Sequence, residues 1–119
     1  SSVESNDIIY QTVSYIARHF REEMSLNRMA RDLGVSRFTL SRVFSGTFHR
    51  NFNQFLNEQR LNYAAIHLEC SDESITDICM NAGFESQRTF NRVFRERYRM
   101  TPREYRILYK EKYLREEQT

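Results

Sequence analysis

Seven side chains in two short stretches carry groups suited to reading base-pair edges. They are Phe38, Ser41 and Arg42 in the first stretch, and Gln87, Arg88, Asn91 and Arg92 in the second. An Arg fork can donate two N–H groups to guanine O6 and N7. Asn and Gln pair in the same bidentate way with adenine, and an apolar side chain can touch the thymine methyl in the major groove. A further set, Arg37, Thr39, Arg50, Thr89 and Arg95, offers the cations and hydroxyls that hold phosphates. Taken singly, each of these is as ordinary on a solvated helix as on a nucleic acid, and Phe38 alone could fold back onto the helix before it. What points to shared chemistry is that the two stretches are one stretch written twice.

The repeat is direct. Thr39, Leu40, Ser41, Arg42, Val43 and Phe44 match Thr89, Phe90, Asn91, Arg92, Val93 and Phe94. Working backwards, Ser36 matches Ser86, Gly34 matches Gly83, and Ser25-Leu26 matches Ser74-Ile75, with Glu85 extra in the second copy. A repeat this long in a chain of 119 residues sets the architecture. Each copy reads as helix, short glycine-containing turn, helix, and the most frequent use of that motif is to place its second helix in a DNA groove.

The elements that position these groups follow from hydrophobic spacing. Ile9, Val13, Ile16, Ala17 and Phe20 predict an amphipathic helix over about 7–22. Ser25 caps a second helix that buries Leu26, Met29, Ala30 and Leu33 and stops at Gly34. Ser36 caps a third, with Leu40, Val43 and Phe44 inward. After the polar break His49-Arg50-Asn51, a long helix over 52–69 buries Phe52, Phe55, Leu56, Leu61, Ala64, Ala65 and Leu68. Ser74 opens a fifth helix with Ile75, Ile78, Cys79 and Ala82 inward, and Ser86 a sixth with Phe90, Val93, Phe94 and Tyr98 inward. Thr101-Pro102-Arg103-Glu104 starts a seventh that runs toward 110 with Tyr105 and Leu108 inward. On helical wheels of the third and sixth helices, Phe38, Arg42 and Ser45 point outward in one, and Arg88, Arg92 and Arg95 in the other. The fold expected is all-α: seven helices, two helix-turn-helix units (25–48 and 74–99) and a central linker helix, within a domain over 7–110. A disordered remnant at 1–6 and a frayed charged tail at 111–119 flank it.

Charge patterning agrees without using the repeat. The net charge of +2 says little, but 16 of the 18 cations are Arg, the residue whose fork fits phosphate and guanine. No Asp or Glu lies between Asp32 and Glu58, or between Glu85 and Glu96. These windows enclose the two outward helices, where a carboxylate would repel a polyanion. No apolar run is long enough to span a membrane, no signal peptide opens the chain, and Cys70 and Cys79 sit in apolar helical segments, so a reduced cytoplasmic setting is expected. His67 and Cys70 are three residues apart, but a structural zinc site wants four ligands. There is no nucleophile with a base beside it and no glycine-rich phosphate loop. No enzyme activity, metal or cofactor is expected.

Gly83-Phe84-Glu85-Ser86-Gln87, then Phe90, Arg92, Phe94 and Thr101-Pro102-Arg103-Glu104-Tyr105-Arg106, resemble the C-terminal signature of AraC/XylS-type transcription regulators of bacteria. Residues from Ser25-Leu26 to Phe44 resemble that family's first helix-turn-helix, and the likeness covers about 8–107. It implies two recognition helices entering adjacent major-groove segments of an asymmetric double-stranded DNA site, with RNA polymerase as a further partner. A linker helix of about 18 residues spans roughly 27 Å, against about 34 Å between successive major-groove faces. The chain departs from the family at His49, where many members have Gly, and at Phe38, where some have Trp. Full-length members usually add an effector or dimerisation domain, expected to be missing here, so the chain is expected to be either a small stand-alone member or, as the Ser-Ser start suggests, an excised DNA-binding domain. The competing expectation is a helical protein-interaction module whose Arg faces meet an acidic partner.

Overall fold

The computed structural model describes residues 2–118, and the side chains of 6–110. The expectations of a disordered remnant at 1–6 and a frayed tail at 111–119 fall, Asn6 apart, outside those side chains. Among the described residues the chain is entirely helical: α1 (Ser2–His19), α2 (Leu26–Leu33), α3 (Arg37–Val43), α4 (Phe52–Cys70), α5 (Ile75–Ala82), α6 (Gln87–Tyr98) and α7 (Pro102–Gln118). A π-helical stretch, Phe44–Phe48, extends α3 without a break. Its counterpart in α6 stays α-helical. Gly46 and Thr47, both poor helix formers, stand where α6 has Glu96 and Arg97. None of the described helices is long and apolar enough to cross a membrane.

The chain divides into two compact units, Ser1–Gln59 and Arg60–Thr119, and the division falls inside α4. The repeat explains why. Thr12, Tyr15 and Ile16 are the buried stripe of α1. Leu61, Ala64 and Ala65, each 49 positions later, are the buried stripe of the second half of α4. Each unit is therefore four helices: α1, α2, α3 and the start of α4 in the first, and the rest of α4, α5, α6 and α7 in the second. α4 closes one unit and opens the other.

Local chemistry repeats just as closely. Ser25 Oγ accepts from the Arg28 N–H and Ser74 Oγ from the Asp77 N–H. Gly34 (φ 69°) and Gly83 (φ 105°) end α2 and α5 in the left-handed region that suits glycine. The next residue closes each turn, with Val35 N–H donating to the Ala30 carbonyl and Phe84 N–H to that of Cys79. Past the third and sixth helices the chain turns at His49 (φ 55°) and Arg99 (φ 62°), so a non-glycine residue takes the left-handed conformation at both equivalent places. Asn51 and Gln54 then bond each other's backbone N–H to start α4. The Glu104 N–H donates to the hydroxyl of Thr101 to start α7, and that hydroxyl donates to the Glu104 carboxylate.

Two aromatic clusters fill the cores. In the first, Phe44 lies 5.6 Å from Phe55 and 6.1 Å from Phe48. In the second, the equivalent Phe94 lies 5.4 Å from Tyr105 and 4.5 Å from Tyr98. Phe44, Phe90 and Phe94 are fully buried, each contributing about 1.5–3 kcal/mol. Arg60, also buried, lays its guanidinium 5.9 Å from the Phe84 ring. Burial lowers its pKa, partly offset by Glu85.

Three details differ from the spacing argument. α1 stops at His19 rather than near 22, and it buries Thr12, Tyr15 and Ile16 while Val13 stays exposed. The polar groups on that stripe are satisfied: Thr12 Oγ1 donates to the Ile8 carbonyl (2.7 Å) and the Tyr15 hydroxyl to Asp32 Oδ2 (2.7 Å). Satisfied hydroxyls can enter a core, so apolar spacing alone misplaced the face by about one residue. Leu108 is exposed, because Tyr105 and Tyr109, stacked at 4.4 Å, take the inner side of α7.

Candidate nucleic-acid interface

In the first unit, Ser36 Oγ accepts from the Thr39 N–H (3.0 Å), which fixes where α3 begins. With Leu40, Val43 and Phe44 buried, 3.6-residue geometry leaves Arg37, Phe38, Ser41, Arg42 and Ser45 exposed. Phe38 is 69% exposed and lines a hollow with Ile8 and Ile9 of α1. Its ring supports Arg42, whose Cζ stands 5.6 Å from the ring centroid. The pair holds a cation and an apolar plane side by side one helical turn apart. Thr39 is exposed, with its hydroxyl bonded to that of Ser36 (2.9 Å). Arg50 is engaged elsewhere: it pairs with Glu58 and donates to the Phe48 carbonyl (3.1 Å), tying the end of the third helix to α4.

The second unit is built the same way. Ser86 Oγ accepts from the Thr89 N–H (3.3 Å), and Phe90, Val93 and Phe94 go inward. Arg88, Asn91, Arg92 and Arg95 are exposed. Gln87 donates to the Thr76 hydroxyl (2.5 Å) and so braces α6 against α5. Arg92 touches Glu96 at 3.4 Å, but both side chains are more than 60% exposed, where such a pair is weak and easily exchanged. Thr89 is half-buried, less open than its equivalent Thr39.

Among the described residues Arg37, Arg42, Arg88 and Arg95 make no ion pair, so each unit presents cations with no carboxylate to neutralise them. The described residues contain no cluster of three or more His, Cys, Asp or Glu that could hold a metal. His67 stacks on Tyr63 (4.1 Å) and approaches Glu73 (3.4 Å), while Cys70 is exposed. Cys79 is buried, which raises its thiol pKa.

Sequence reasoning passed over Arg103. It lines a cleft with Asn91, Arg95 and Thr101, but in sequence it looks like an ordinary cation in the first turn of α7.

Residues 29–107 match the family model described as a helix-turn-helix domain. A helix-turn-helix type transcriptional regulator of Staphylococcus aureus (strain COL) is 36% identical over 105 residues, which is 88% of this chain and 14% of that protein. The chain thus spans about one seventh of that relative's length. Regulatory protein SoxS of Escherichia coli (strain K12) is 33% identical over 99 residues, 83% of this chain and 92% of SoxS. Among solved structures, an AraC-type DNA-binding regulator from Chromobacterium violaceum superposes with a TM-score of 0.79 at 30% identity, covering 88% of this chain and 94% of the other. The DNA-binding domain of the global transcriptional factor AdpA, solved in complex with a target DNA, superposes with a TM-score of 0.81 at 27% identity, covering 87% and 94%.

Proposed function

This chain belongs to the helix-turn-helix family of AraC/XylS-type transcription regulators, and we propose that α3 and α6 are its two recognition helices, laid in adjacent major-groove segments of one duplex. The family binds DNA to regulate transcription and is not a family of enzymes. In this reading Phe38, Ser41 and Arg42 meet one set of base edges, with Phe38 against a thymine methyl and Arg42 beside it on guanine. Gln87, Arg88, Asn91 and Arg92 meet the other set. Gln87 must give up its bond to Thr76, and Arg92 its loose contact with Glu96. Arg37, Thr39, Thr89 and Arg95 hold phosphates, and Arg50 joins them on release from Glu58.

The observation that carries the reading is that α3 and α6, the equivalent helices of the two units, each expose arginines that make no ion pair among the described residues: Arg37 and Arg42 on one, Arg88 and Arg95 on the other. Because α3 and α6 present different side chains, one chain reads an asymmetric site. RNA polymerase is the proposed further partner, and an effector or dimerisation domain the proposed companion in a longer protein of the bacterial cytoplasm.

Selection of bound duplexes from a random pool tests this. The expected result is one asymmetric site with two elements about one helical turn, roughly 10 bp, apart. A palindrome would overturn the single-chain reading. Binding without discrimination among sequences would return the protein to the acidic-partner class.

A further inference from the structure

Beside each recognition helix lies a cleft, and the repeat lets the two be compared residue by residue. The first is lined by Leu26, Ser41, Asn51, Phe52 and Asn53, with Arg37 at its edge. The second is lined by Ile75, Asn91, Thr101, Pro102 and Arg103, with Arg95 at its edge. Leu26 corresponds to Ile75, Ser41 to Asn91, Asn51 to Thr101, Phe52 to Pro102 and Asn53 to Arg103. The same hollow therefore occurs twice, with an apolar floor and a polar rim. What changes is charge. The first has one guanidinium and neutral amides, whereas the second has two guanidiniums.

Neither the Arg95 nor the Arg103 guanidinium makes a hydrogen bond or ion pair among the described residues, and both residues are exposed. The nearest carboxylate along α7, that of Glu104, is turned into the capping bond with Thr101 (3.1 Å). Two unneutralised cations thus flank a hollow next to Asn91, a residue assigned to base edges. A phosphodiester running past the groove that α6 occupies is an anion of the right size and charge for that place.

We propose that the second cleft seats a DNA phosphodiester between Arg95 and Arg103, and that its more neutral twin seats the equivalent phosphate with Arg37 alone. The second cleft then carries more of the salt-dependent grip than the first. This rests on the reading of α6 as a recognition helix.

The test is the salt dependence of duplex affinity for the parent protein, Arg103→Gln and the reciprocal Asn53→Arg, on random and selected duplexes. Each phosphate contact contributes about one unit to the slope of log affinity against log salt. Arg103→Gln is expected to flatten the slope by about one while leaving the ratio of specific to random binding unchanged. Asn53→Arg, at an exposed position, is expected to steepen it by about one, a gain that misfolding cannot mimic. Unchanged slopes in both variants, with the parent still selecting a sequence, would overturn the cleft assignment alone. A parent that does not bind duplex DNA would overturn the assignment of α6 as well.

Discussion

Removing Arg106 should loosen the second unit and leave the first intact. Its guanidinium, half-buried under the end of α4, reaches four backbone carbonyls: Glu73 at 2.6 Å, Leu68 and Ser71 at 3.2 Å each, and His67 at 3.5 Å. Leu68 belongs to the last turn of α4, where carbonyls lack helical partners, whereas the His67 carbonyl already accepts from the Ser71 N–H (3.0 Å) and hydroxyl (2.7 Å). Ser71 and Glu73 belong to the connection into α5, so one side chain ends α4 and fixes the approach to the second helix-turn-helix. Hydrogen bonds from a charged donor contribute about 1.5–3 kcal/mol each. The bond at 3.5 Å counts for little, and water can replace part of the rest at the rim, so Arg106→Ala should cost about 3–4 kcal/mol. At about 3–5 °C per kcal/mol for a chain of this size, the melting temperature should fall roughly 9–20 °C. Arg106→Lys should recover only part, since an ammonium lacks the fork that reaches several carbonyls at once. Amide exchange checks where the loss falls: α5 and α6 should lose protection, and α2 and α3 should keep theirs. A melting shift under about 3 °C, or equal loss of protection in both units, would refute the assignment of Arg106 as the clasp of the second unit.

Replacing the cognate thymine by uracil, or Phe38 by Ala, should each weaken binding about fivefold, roughly 1 kcal/mol. The two changes together should cost no more than either alone in a fluorescence-anisotropy titration, because both delete one contact. Arg42→Ala and Arg92→Ala should each cost about 1–3 kcal/mol of specific binding and erase protection at opposite ends of a footprint; loss at the same few base pairs would contradict the two-helix reading. His49→Gly and Arg99→Gly should each stabilise by about 0.5–1 kcal/mol in urea titrations, because both residues hold positive φ that glycine adopts without cost. The gain should be larger for Arg99, since His tolerates that region better than most residues. Grafting the outward residues of α6 onto α3 (Arg37→Gln, Phe38→Arg, Ser41→Asn, Ser45→Arg) should turn the selected site into a direct repeat, read out by selection from a random pool.

Much of the fold was legible because the repeat and the local caps spoke together. Ser36 and Ser86 cap α3 and α6 as their types suggest, and Gly34 and Gly83 stand where a left-handed residue is needed. The exposed positions of α3 and α6 followed from Leu40, Val43, Phe44 and their counterparts. What stayed hidden depended on particular bonding partners that apolar spacing does not record. Apolar spacing could not show that Thr12 and Tyr15 would be buried, because their burial depends on bonds to Ile8 and Asp32. Arg50 reads as a free cation until Glu58, eight residues on, comes within reach. The repeat itself ran further than residue identity revealed. Asn51 with Gln54 and Thr101 with Glu104 share no residue types, yet they close the same capping geometry.

Inward positions are held to similar chemistry: Leu40 with Phe90, Val43 with Val93, Phe44 with Phe94. Packing at interior density punishes changes of volume there. Outward positions carry no such constraint, and they diverge: Phe38 against Arg88, Ser41 against Asn91, Ser45 against Arg95. Arg42 and Arg92 coincide, as do Thr39 and Thr89. If outward residues were mere solvated filler, divergence would favour any polar type, including Asp and Glu, which are plentiful elsewhere in the chain. Instead, at the three diverging positions the changes stay within residues that can approach a polyanion, and the one carboxylate of α6, Glu96, stands a turn beyond Arg92 and in contact with it. The two faces have thus been free to differ in what they read but not in the sign of what they approach. That is the pattern expected when one frame is used twice along a single duplex to recognise two different stretches of it.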